Sequence, residues 1–65
     1  MRWTYDPTVD ILCVRLSDEK VLESEEVQAG LVVDYNHKGR IVGFEIFDAR
    51  ERVAPSTMTA AHAAE

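Results

Sequence analysis

The stretch Leu31-Val32-Val33-Asp34-Tyr35-Asn36-His37-Lys38-Gly39-Arg40-Ile41-Val42-Gly43-Phe44-Glu45-Ile46-Phe47 decides the fold. Two runs rich in β-branched and aromatic residues flank a short polar loop that contains Gly39, the pattern of a β-hairpin. With Asn36 to Gly39 as a four-residue loop, Tyr35 faces Arg40, Val33 faces Val42 and Leu31 faces Phe44. All lie on one side, and Ile46 continues the row. The other side carries Val32, Asp34, Ile41, Gly43, Glu45 and Phe47, with Asp34 facing Ile41. A slip by one residue would put Asp34 and Glu45 into the core, which costs several kcal/mol if both stay charged.

The same letters approach a calcium-loop pattern. Asp34, Asn36, Lys38, Gly39 and Glu45 occupy its positions one, three, five, six and twelve. Lys38 puts a cation where a ligand oxygen belongs, and a period of two replaces the flanking helices. Gly39 is better explained as the residue that takes φ > 0 at the end of a hairpin loop.

Upstream, Arg2 to Tyr5 is a short β-prone run, and Asp6-Pro7-Thr8-Val9-Asp10 is a turn. Pro7 presets φ, and the Asp6 carboxylate can accept from nearby backbone N–H groups. Ile11 to Leu16 is the return strand. Pairing Tyr5 with Leu12 and Trp3 with Val14 gives an apolar face of Trp3, Tyr5, Leu12, Val14 and Leu16. The opposite face carries Arg2, Thr4, Ile11, Cys13 and Arg15. Val21 to Val27 reads as an edge strand or an extended arm, and its charges suit an edge.

Downstream, Asp48 is placed to cap a short helix, Ala49 to Val53, whose i, i+4 pair Ala49 and Val53 can close over the sheet. Pro55 disfavours helix at Ala54. Residues 56–65 read as a tail, helical at most from an N-cap at Ser56 and anchored by Met58. The expected architecture is a small α+β domain over residues 1–53: an antiparallel sheet of two β-hairpins with a short C-terminal helix on one face. Residues 54–65 form a flexible or marginally helical tail.

A chain of 65 residues holds one domain, and a core of this size gives marginal stability. One cysteine excludes an internal disulfide, and two scattered histidines with one cysteine do not make a zinc site. Self-association is the expected source of extra stability, as a homodimer or other homo-oligomer. With 12 acidic and 7 basic residues the net charge is −5. That argues against binding nucleic acid through phosphates and against an anionic membrane surface, and suits a small basic protein partner. No run approaches the length of a membrane span. A free cysteine without an export signal suggests the cytoplasm.

Among candidate chemistries, Cys13 reads as a small half-buried hydrophobe, since neither His37 nor His62 has a route to it. Asp34, Glu45 and Arg15 share one face, but no phosphate loop, serine elbow or metal cluster accompanies them. We expect no catalytic residues, no cofactor and no metal. The candidate interface is the mixed face: Ile11, Cys13, Arg15, Val32, Asp34, Ile41, Glu45 and Phe47. A single short helix covers only one side of the sheet, and an uncovered apolar patch marks an interaction surface. The alternative is a small-ligand or metal-binding domain that uses Asp34 and Glu45.

The ordered set of runs 5–17, Ser24-Glu25-Glu26-Val27, 30–35, Gly39 and 41–49 resembles the small bacterial family known as domain of unknown function 2283. The resemblance spans residues 3 to 53. It implies a compact β-rich domain with a C-terminal helix and carries no established activity, cofactor or catalytic residue. Some members are similar to antitoxin-like partners encoded beside small toxins.

Overall fold

The computed structural model describes residues 1–60 and 62–63, with side chains through Thr57. In chain order the elements are β1 (Arg2–Asp6), β2 (Ile11–Arg15), β3 (Glu23–Gln28), β4 (Leu31–Tyr35), β5 (Ile41–Phe47), α1 (Ala49–Arg52), α2 (Pro55–Ala60) and β6 (His62–Ala63). Five antiparallel strands make the sheet, and the two-residue β6 adds in parallel to β1; the order is β3-β4-β5-β2-β1-β6. The sheet is therefore larger than two hairpins. The segment read as strand or arm is the strand β3, which joins β4 and β5 in a meander.

β1 and β2 pair with Tyr5 opposite Leu12 and Trp3 opposite Val14. The Asp6 carboxylate accepts from Thr8 N–H at 2.9 Å in the turn between them. Leu16 lies beyond the end of β2 and is exposed, so it is not part of the apolar face.

The second pairing differs from expectation in an instructive way. Val33 faces Phe44 rather than Val42, and Leu31 faces Ile46 rather than Phe44. Two one-residue changes add up to this shift. Asn36 N–H donates to Arg40 O at 2.9 Å, so the loop is the three residues His37 to Gly39, and Gly39 takes φ 76° at its end. A bulge then separates the Tyr35–Ile41 pair from the Asp34–Gly43 pair and leaves Val42 as the extra residue. Each change alone would flip the faces of β5, and the two together restore them. The bulged Val42 is buried, and its carbonyl accepts from both Leu16 N–H (2.9 Å) and Ser17 N–H (3.2 Å).

The core lies on one side of the sheet. Leu12 and Val14 are each 1% exposed and pack with the buried Ala49 of α1, surrounded by Trp3, Tyr5, Phe44, Ile46 and Val53. The Ala49/Val53 pair closes over the sheet as expected, with Val53 N–H donating to Ala49 O at 2.8 Å. Asp48 does not cap α1. It takes a left-handed φ of 54° and makes no side-chain cap. Asp10 does that work from the β1–β2 turn: its carbonyl accepts from Ala49 N–H (3.1 Å) and its carboxylate from Arg50 N–H (3.1 Å). The later helix begins at Pro55, two residues before Thr57, the first helical position that an N-cap at Ser56 implies, since proline suits the first helical position. The anchoring expected of the Met58 side chain lies outside the described residues.

Candidate functional site

Alternation places three cross-strand rows on the side of the sheet away from Leu12. Phe47 pairs with Ile11. Glu45 sits between Cys13 and Val32. Gly43 sits between Arg15 and Asp34. Seven of the eight expected interface residues thus share one face. The eighth, Ile41, leaves it because the Val42 bulge breaks the alternation of β5 and pairs Ile41 with Tyr35.

The polar part of this face is organised around Gly43. A methyl group there would lie 2.8 Å from Val14 O, 3.4 Å from Asp34 Oδ2 and 3.5 Å from Arg15 Cδ. The missing side chain gives the Asp34 carboxylate its place, and Asp34 is only 6% exposed. Ser24 Oγ donates to its Oδ1 at 2.6 Å. The Arg15 guanidinium turns to the β2–β3 connector and donates to Ser17 O (3.1 Å) and Glu19 O (3.0 Å). Glu45 shares the face without a comparable anchor, and its pKa is raised, first by burial and then by the Asp34 charge. Burial likewise pushes the Cys13 thiol up. Glu45 and Asp34 add to this, against Arg15 and a hydrogen bond with Thr4. A thiol held protonated is a poor nucleophile. His37, in the exposed loop tip, is no partner for it.

The apolar part lies at the Ile11 end. Ile11, Cys13 and Val32 each keep part of their surface, and Phe47 is 38% exposed.

The calcium-like spacing has a structural explanation. Asn36 is buried, its Oδ1 accepts from Lys38 N–H and Arg40 N–H (both 2.9 Å), and its Nδ2 donates to Glu19 Oε1 at 2.8 Å. The oxygen a cation would need already closes the loop. Among the described residues, no group of three or more His, Cys, Asp or Glu is placed to hold a metal ion.

Sequence reasoning missed Asp10. Besides capping α1, its Oδ1 accepts from the Tyr5 hydroxyl at 2.7 Å, and this hydrogen bond is the main reason the Tyr5 pKa is raised. The available signal was its position. Asp10 ends a hairpin loop at φ 57°, a conformation that aspartate tolerates better than most residues.

Fold and site define a small sheet domain with one face closed by a helix and the other partly apolar and partly acidic. The chain belongs to the family described as Protein of unknown function (DUF2283), whose model matches residues 2–50. No curated protein and no solved structure matches the chain. Among the described residues, no helix is long and apolar enough to cross a membrane.

Proposed function

We propose that this domain is a non-catalytic protein-interaction module that self-associates through the face of Ile11, Cys13, Val32 and Phe47. One observation carries the reading. The α1 helix packs on the Leu12 and Val14 side, while the aromatic and aliphatic groups of the other side keep exposed surface. Sheet-on-sheet packing between two copies would bury them. The test is the mass in solution by analytical ultracentrifugation. The parent chain should sediment as a dimer or higher homo-oligomer, and Phe47→Asp as a folded monomer. A parent that stays monomeric at high concentration refutes the reading.

A second reading, an acidic partner for a small basic protein, is favoured by β3, which carries three glutamates and no cation. A small ligand or metal held by Asp34 and Glu45 is the alternative. It predicts a rise in melting temperature with that ligand, lost in Asp34→Ala.

A further inference from the structure

We infer that the β3 edge docks an extended basic segment of another protein, which adds to the sheet as a further antiparallel or parallel strand. This rests on the basic-partner reading and gives that partner a place and a mode of binding.

The first observation is topological. At one side the sheet ends in β6 laid against β1; at the other it ends in β3, with no further strand among the described residues. An end strand presents a row of backbone N–H and C=O groups on its outer side, a template for another chain. Every residue of β3 is exposed. Of the usual protections of an edge, β3 has its three glutamates, which repel acidic strands and not basic ones, and a bulge at Val27; it runs for six residues and contains neither proline nor lysine.

The second observation is chemical. Glu23 and Glu25 pair with Tyr35 and Val33, so they stand on the covered side; Glu26 pairs with Val32 and stands on the other. Carboxylates therefore flank the edge on both sides. A second copy of β3 would set glutamates beside glutamates, an arrangement that destabilises strand pairs. Lysine or arginine in those places would be stabilised. Apolar side chains bracket the strip: Leu22 is 64% and Val27 47% exposed. The edge thus rejects its own copy and fits a strand with cations in the middle and apolar residues at its ends.

The probe is a synthetic eight-residue peptide, lysine-rich in the centre with valine at each end. It is titrated into the 15N-labelled full chain at low and high salt. A control peptide of the same sequence is N-methylated at alternate residues, which keeps the charge and removes half the strand donors. The expected result is shift changes and slowed amide exchange confined to 22–28, roughly tenfold weaker binding of the control, and weakening by salt. The double substitution Glu23→Lys/Glu25→Lys, on exposed positions, should abolish binding and admit the corresponding glutamate peptide. Equal binding of both lysine peptides overturns strand addition. Shifts that map elsewhere overturn the β3 site and leave the basic-partner reading standing. No binding by either peptide overturns both.

Discussion

Leu12 and Cys13 are adjacent in the chain and lie on opposite sides of one strand. Leu12 is 1% exposed beneath α1, and Cys13 keeps part of its surface on the other side. Their strand partners continue the contrast. Leu12 pairs with Tyr5 and Ile46, which pack into the core, whereas Cys13 pairs with Thr4 and Glu45. One side is specified by packing, with Asp10 holding α1 and the Tyr5 hydroxyl at its rim. The other mixes apolar groups with the carboxylates of Asp6, Glu26, Asp34 and Glu45 in a way that packing inside one chain does not require. The difference separates what holds this domain together from what it has to spare for a partner.

The sharpest way to break that contrast is to truncate each neighbour. Leu12→Ala removes a fully covered side chain and should cost about 3 kcal/mol, within the ~2–5 kcal/mol usual for buried leucines. A domain of this size has only about 3–10 kcal/mol to lose. Cys13→Ala should cost less than about 1 kcal/mol. Urea melts of the two variants check this. Equal costs would mean that the second face is packed as tightly as the first.

Gly43→Ala should have the next largest effect, although glycine lies on the less packed side. Its new methyl would meet the Val14 carbonyl at 2.8 Å and press on Asp34. We expect a loss of about 1–3 kcal/mol, with Asp34 and Ser24 resonances perturbed in NMR spectra. An unchanged melting temperature would show that the strands separate easily at this point.

How much of this was legible in sequence follows from what alternation can report. Which residues share a face is a question of parity. Trp3, Tyr5, Leu12 and Val14 therefore fell correctly on one side, as did Val33, Phe44 and Ile46. Register within the face is not a question of parity. Beyond the bulge, a shift of two residues in the β4–β5 pair leaves each apolar residue on its side and escapes notice. Its causes are the Asn36 side chain, which accepts from Lys38 and Arg40 N–H while bonded to Glu19 seventeen residues away, and the bulge at Val42, whose carbonyl accepts from Leu16 and Ser17 N–H. Ile41 changes sides for the same reason. Sequence proximity points to Asp48 as the cap of α1, whereas Asp10 supplies it from forty residues away.

That long-range cap gives a third comparison, between the two aspartates. Asp10→Ala removes the acceptor of Arg50 N–H and of the Tyr5 hydroxyl, and it strains a left-handed backbone. The expected cost is about 1–2 kcal/mol, and the Tyr5 pKa should fall toward its ordinary value of 10.0. Asp48→Asn, with no side-chain cap to lose, should change stability by less than about 0.5 kcal/mol. Thermal melts and an ultraviolet titration of the tyrosines measure both. A larger loss from Asp48→Asn would return the capping role to the nearer residue.

The smallest effect expected is also the one that bears on what the open face is for. Glu45 has a folded-state pKa raised above its ordinary value of 4.5 by burial and by Asp34. The folded chain therefore holds this proton more tightly than the unfolded chain. Well below pH 4.5 both states are protonated, and Glu45 brings no penalty. As the pH rises from there through the raised folded pKa, the fold must accept the charge and loses stability; above that window the loss is constant. Glu45→Gln should leave stability unchanged at low pH and increase it at neutral pH, with the difference opening across that window. A difference that does not vary with pH would show that Glu45 is fully solvated. The same substitution reaches the proposed self-association. If two copies stack on this face, Glu45 is desolvated further, so the dimer of the parent chain should tighten on acidification, while that of the Gln variant should be tighter at neutral pH and less dependent on pH. Stability that responds to Glu45→Gln while sedimentation does not would place the contact between copies elsewhere, and the apolar groups at Ile11 and Phe47 would then need a different occupant.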